Sequence, residues 1–218
     1  MRLGLVTIGQ APRTDLIPDV ADLLDGVDWV EHGALDLLDP GDIAELAPGP
    51  GEPVLVSRLR DGSSARLSRR RIGPLLDAAI ERAASAGASR VVVLCTGRID
   101  HGEGSVPVQH AEELAHTAMS TIIGAGTLGV LCPLPAQVAD VAQRWGRRLE
   151  RPVRVAAVDP YTATLDDVRQ AATELVVQGA DQVFLDCIGY TTAQANAARE
   201  AGAPAHTARA LAVQAALA

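Results

Sequence analysis

Cys95 and Cys187 stand in matching frames, 92 residues apart. The first frame reads Gly87-Ala88-Ser89-Arg90-Val91-Val92-Val93-Leu94-Cys95-Thr96-Gly97. The second reads Gly179-Ala180-Asp181-Gln182-Val183-Phe184-Leu185-Asp186-Cys187-Ile188-Gly189. Each is a Gly-Ala turn, an apolar run, a cysteine, one residue and a glycine. A short apolar run between turn signals reads as a buried parallel strand. Each thiol is therefore expected at the carboxyl end of a strand, where open α/β sheets bind ligands. A thiolate can take a proton from an activated carbon, and a second thiol can return one on the opposite face. One such thiol per half suggests a paired acid and base across a cleft.

Other residues could assist. Thr7, Gln10 and Arg13 fall at or just after the end of the first apolar run. An arginine there offers a bidentate fork for a carboxylate. Thr96, Gly97, Ile188 and Gly189 could turn backbone N–H groups toward a developing enolate oxygen. Tyr190 could lie over a bound ligand. Cys132 precedes Pro133 and lacks the Cys-Xaa-Gly frame, so it reads as structural. Arg66 and Arg69 to Arg71 read as solvated surface beside a hairpin. His101, Glu103, His110 and His116 raise a metal hypothesis, but their spacing matches no helix-face ligand pair, and no metal is expected. His206 reads as structural.

All 19 basic residues are arginine. A Schiff-base lysine and a phosphate-loop lysine are both missing, which excludes pyridoxal phosphate and Walker-type chemistry. No cofactor is expected. The net charge of −8 argues against nucleic acid as the main partner. Residues 15 to 45 carry ten acidic side chains, and residues 58 to 71 carry six arginines. Three cysteines in 218 residues do not make a disulfide framework. The opening apolar stretch is too short for a signal peptide. The uncharged stretch 117 to 139 is broken by Gly124, Gly126, Gly129, Pro133 and Pro135, so a membrane span is not expected. A soluble, cytoplasmic protein is the reading.

The positioning elements follow. Leu3 to Thr7 reads as a strand, followed by a helix capped by Thr14 and running to about Leu24. Val27 to Glu31 is a strand, and Asp42 to Ala47 a short helix. Val54 to Arg58 and Ser64 to Leu67 flank Asp61-Gly62 as a hairpin. A helix is predicted from about Pro74 to Ala86, then a strand to Leu94, a polar loop over 97 to 106, and a helix over Pro107 to Ile123. Leu128-Gly129-Val130-Leu131-Cys132 repeats the pattern of Leu3-Gly4-Leu5-Val6-Thr7. Helices at 136 to 150, 165 to 177 and 192 to 201 alternate with strands at 153 to 158 and 183 to 186. A short segment at 204 to 206 precedes a final alanine-rich helix. This alternation predicts an α/β fold of two pseudo-symmetric lobes, each a parallel sheet flanked by helices, with an interlobe cleft. The first lobe is placed at 1–118 and the second at 119–206, with the helix 207–218 packing back on the first.

Three segments carry a resemblance. Thr7-Ile8-Gly9-Gln10-Ala11-Pro12-Arg13-Thr14-Asp15, Cys95-Thr96-Gly97 and Leu185-Asp186-Cys187-Ile188-Gly189-Tyr190 look like the AroM family, which resembles the wider aspartate/glutamate racemase superfamily. The resemblance implies two α/β lobes, a cleft active site, no cofactor, and one cysteine from each lobe, here Cys95 and Cys187. Superfamily racemases commonly carry Asn-Thr after the first cysteine, whereas Thr96-Gly97 follows here. The expected activity is cofactor-independent racemisation, epimerisation or isomerisation of a small carboxylate or amino-acid-like substrate. The alternatives are a non-catalytic ligand-binding or regulatory protein, and a single-cysteine lyase or decarboxylase. Expected partners are a small anionic metabolite and a second copy of the chain, with neither nucleic acid nor membrane.

Overall fold

The computed structural model describes residues 2–218 apart from Arg98, His101 and Glu103. The chain forms two compact units, Met1–Glu112 and Glu113–Ala218. The first holds β1 (Arg2–Thr7), α1 (Ile17–Leu24), β2 (Asp28–Gly33), α2 (Pro40–Glu45), β3 (Val54–Arg58), β4 (Ser64–Ser68), α3 (Arg69–Ser85), β5 (Arg90–Leu94) and β6 (Val108–His110). The boundary falls in the first turn of α4 (Ala111–Ile123). The second holds β7 (Leu128–Cys132), α5 (Val138–Leu149), β8 (Arg154–Ala157), α6 (Leu165–Val177), β9 (Gln182–Leu185), α7 (Thr192–Arg199), β10 (Ala205–Thr207) and α8 (Ala208–Leu217).

Each unit is built on a four-stranded parallel sheet, in the orders β2-β1-β5-β6 and β10-β9-β7-β8. In both sheets the strand that leads to the cysteine is central, and strands β1 and β7 occupy equivalent places beside it. Local chemistry explains the repeat. Gly87 and Gly179 close α3 and α6 at φ of 92° and 91°, a left-handed conformation that costs glycine least. The next amide turns back onto the helix in both cases: Ala88 N donates to Ala83 O, and Ala180 N to Leu175 O. Facing these turns are Gly4 and Gly129. A Cβ on Gly4 would lie 2.9 Å from Val91 and 3.2 Å from Ala88, and one on Gly129 2.9 Å from Ala180. Both helices therefore lie close on their sheets only because these strand positions lack a side chain.

Alternation along the strands sets two faces. Val91, Val93 and Cys95 join the core under α3 with Ile72, Leu76, Ala79 and Ile80. Val183, Leu185 and Cys187 join the core under α6 and α7 with Val168, Leu175, Ala195 and Ala198. On the other face of β9, Phe184 meets Trp145 of α5, ring centroids 5.4 Å apart.

Several boundaries differ from the sequence expectation. Helix α1 begins at Ile17, not at Thr14, because residues 13 to 16 form a turn in which Leu16 N donates to Arg13 O. Helix α3 begins at Arg69, with Pro74 inside it. Residues 108 to 110, expected as helix, form the edge strand β6 paired with β5. Pro135–Gln137 is a 3-10 turn ahead of α5. Among the described residues no helix is long and apolar enough to cross a membrane.

Candidate active site

Both cysteines close their strands in the same way. The amide of Gly97 donates to Cys95 Sγ at 3.3 Å, and the amide of Gly189 donates to Cys187 Sγ at 3.3 Å. An N–H aimed at sulfur favours negative charge on it. The sulfur and the glycine two residues on thus form a compact unit, once in each half of the chain. Cys95 is 9% exposed and Cys187 8% exposed.

Each glycine is covered by a side chain. A Cβ on Gly97 would lie 2.3 Å from Cδ2 of Leu55, which β3 delivers. A Cβ on Gly189 would lie 2.7 Å from Cζ and Oη of Tyr161. The Thr96-Gly97 pair therefore has a physical reason: Leu55 fills the space that a side chain at 97 would need. Tyr161, in the turn after β8, is a neighbour of the Cys187 turn that the sequence did not single out. Its signal was faint: Asp159-Pro160-Tyr161 follows an apolar strand, and Asp159 Oδ1 accepts the Tyr161 amide at 2.9 Å.

In the first unit the polar residues after β1 are tied to one another. Arg13 is 2% exposed. It gives its fork to Asp15, with Nε and Nη2 each 2.8 Å from a carboxylate oxygen, and donates from Nη1 to Thr7 Oγ1 at 3.0 Å. Gly9 N also donates to Thr7 Oγ1. The Arg13 amide donates to Glu31 Oε1 at 2.8 Å. Burial pushes the Glu31 carboxyl above its usual range, although this amide and the Arg13 charge oppose it. Gln10 bridges outward: its Nε2 donates to Leu35 O and its Oε1 accepts from the Arg60 amide. The hairpin lies close on this turn, since a Cβ on Gly9 would be 2.2 Å from Arg58 O.

In the second unit Tyr190 is fully buried and its hydroxyl donates to the Val158 carbonyl. Burial pushes the phenol well up, with Cys187 and Cys132 adding to it. Cys132 is also fully buried, and its thiol lies 3.7 Å from Leu134 O. Burial, with Asp186 nearby, pushes that thiol up to about 12, which suits a structural role. The carbonyl of Ile188 accepts from Nε of Arg209 at 2.9 Å.

Asp186 points away from the Cys187 face, as alternation requires. Its Oδ1 lies 2.9 Å from His116 Nε2, and its Oδ2 accepts from Trp145 Nε1 at 3.0 Å and Arg144 Nη2 at 3.3 Å. Burial alone would raise this carboxyl, but His116, Arg144 and Trp145 outweigh it and hold it below the usual carboxylate range. His116 is thus bound to a carboxylate. His101 and Glu103 lie outside the described residues. Among the described residues no three histidine, cysteine or acidic side chains are grouped to hold a metal.

A family model described as AroM protein matches residues 3–217. The chain belongs to the AroM family. No curated protein sequence matches it. Solved structures match this AroM chain over nearly its whole length. A double mutant of arylmalonate decarboxylase in liganded form has a TM-score of 0.60 at 14% identity, covering 97% of this chain and 88% of that one. A maleate isomerase from Pseudomonas putida has a TM-score of 0.60 at 10% identity, covering 97% and 89%. An aspartate racemase from Picrophilus torridus has a TM-score of 0.56 at 10% identity, covering 95% and 89%. At these identities the likeness is one of fold: this AroM protein shares the α/β fold of these structures.

Proposed function

We propose that this AroM protein is a cofactor-independent racemase, epimerase or isomerase acting on a small carboxylate or amino-acid-like substrate. Cys95 and Cys187 exchange protons with opposite faces of one substrate carbon. The observation that carries this reading is the repeated contact from the glycine amide to Sγ, at 3.3 Å in both halves of the chain. A thiol that serves only as a core hydrophobe does not need an amide donor. Neighbours of the same fold named as an aspartate racemase and a maleate isomerase are consistent with a racemase or isomerase. In this reading Thr7, Gln10, Arg13, Thr96, Gly97, Ile188, Gly189 and Tyr190 would contact the substrate.

The test is deuterium incorporation at the substrate carbon in heavy water, across a panel of small chiral carboxylates, for the wild type, Cys95→Ser and Cys187→Ser. Loss of exchange in both variants is expected. Wild-type exchange in both would sink the reading, and loss in one alone would point to a single-cysteine lyase or decarboxylase.

A second reading is a non-catalytic protein that binds a small ligand, and one observation favours it. The Arg13 fork is already closed on Asp15, so a ligand carboxylate would have to displace that side chain. Ligand binding without any deuterium exchange would support this reading.

A further inference from the structure

The two cysteines share a local geometry, but their surroundings differ in charge. The Cys187 turn leads directly into α7, whose cap Thr191 accepts from the Gln194 amide. A helix N-terminus carries partial positive charge. Among the described residues no helix stands between β5 and β6 after Cys95.

A buried cation makes the second difference. Arg209 has no exposed surface, and its guanidinium holds the carbonyl of Ile188, the residue next to Cys187. It is the second residue of α8, which follows β10, the strand paired with β9. The topologically equivalent position in the first unit is the second residue of α4, which follows β6, the strand paired with β5. That residue is Glu112. A cation thus occupies the position in one half that an acid occupies in the other.

Two carboxylates, Asp159 and Asp186, also act on Tyr190 in this turn. Asp186 faces the opposite side of the sheet, against His116, Arg144 and Trp145. Cys132 from β7 and Tyr190 from the turn itself are both held in their neutral forms by burial. Asp159 and Tyr161 come from the turn after β8, and Asp159 accepts the Tyr161 amide. Helices α6 and α7 present Val168, Leu175, Ala195 and Ala198 to this core.

We infer that Cys187 is the resting thiolate and general base, that Cys95 is the thiol that donates, and that Arg209 is the positioning residue that sets the difference. The inference rests on the two-thiol reading above. The Cys187 thiolate takes the substrate proton; the C–H bond breaks and its electron pair passes into the substrate as a carbanion. The Cys95 S–H bond then breaks as its proton joins the opposite face of that carbon. Cys187 is left as a thiol and Cys95 as a thiolate, and proton exchange with water restores both.

Site-resolved alkylation with iodoacetamide, followed by mass spectrometry across pH, tests this on the full chain. The two exposures are nearly equal, at 9% and 8%, and the pH midpoint reports thiolate formation, not access. The Cys187 midpoint is expected at least about one pH unit below that of Cys95. Arg209→Gln should raise the Cys187 midpoint and leave that of Cys95 unchanged, and Arg209→Lys should restore most of the shift. Equal midpoints, a lower midpoint at Cys95, or no shift in Arg209→Gln would overturn the assignment. If Arg209→Gln does not fold, the wild-type midpoints and Arg209→Lys decide it. Failure here, with exchange still lost in both serine variants, would remove the assignment of roles and leave the two-thiol reading standing. Retained exchange in both serine variants would remove that reading itself.

Discussion

Gly97 shows how one missing side chain shapes the Cys95 turn. Gly97→Ala would place a methyl group 2.3 Å from Leu55 Cδ2, so Leu55 would have to leave its packed position. The expected cost is about 1–3 kcal/mol, typical of overpacking in a buried site. Adding Leu55→Ala should recover part of it, and a double-mutant cycle by urea unfolding would show a coupling that two independent sites lack. Asp186 makes a prediction of the opposite kind. Asp186→Ala leaves His116, Arg144 and Trp145 without their carboxylate, and breaking a buried pair in this way costs about 3–5 kcal/mol. The folded carboxyl lies below its ordinary range, so its contribution is present above about pH 4 and is lost as pH falls through the folded value. The gap between wild type and Asp186→Ala in urea unfolding should therefore narrow from pH 7 toward pH 2. The thiols were legible residue by residue because their frames repeat. Tyr161 was not. Tyr190 is adjacent in sequence to the Cys187 turn but donates its hydroxyl to Val158, while Tyr161 reaches Gly189 from another loop. Adjacency in the chain does not reveal which ring covers a glycine.

Gly4 and Gly129 carry the corresponding argument for elements. Each lets a helix approach its sheet, α3 over β1 and α6 over β7. Gly4→Ala must push against Val91, Ala83 and Ala88, and Gly129→Ala against Ala180 and Leu175. Both are expected to lower stability by about 1–3 kcal/mol, measurable as a lower urea midpoint. If either substitution is neutral, that helix does not depend on the glycine for its approach. Most strands were readable because apolar runs between turn residues have few other fates. Strand β6 was not, because three half-buried residues beside a helical pattern carry no period of their own. The start of α3 was missed for a different reason. Pro74 suggested a first turn, yet the helix begins at Arg69 and accommodates the proline on an exposed face.

For the whole molecule, the reactive inventory is small. The chain has three cysteines, all buried and none in a disulfide, and no lysine. Cys132 stays protonated until about pH 12 and has no exposed surface. Intact-mass analysis after alkylation at pH 8 should show two adducts on the folded protein and three after unfolding in guanidinium. A third adduct on the folded chain would mean that the Cys132 site opens. The α/β class and its duplication were visible in the sequence, since β1 with β5 and β7 with β9 repeat both glycine and cysteine spacing. The closure of the Arg13 fork on Asp15 was not, because an arginine two residues from an aspartate is equally compatible with a solvent-facing pair.

The glycine amides that donate to sulfur have a practical consequence. Each is a proton fixed 3.3 Å, donor to sulfur, from one of the two thiols. A nitrogen-15 spectrum would therefore contain a built-in pair of voltmeters, the resonances of Gly97 and Gly189. Each should move as its own sulfur ionises, so one pH titration of the unmodified protein would read both halves against each other in a single tube.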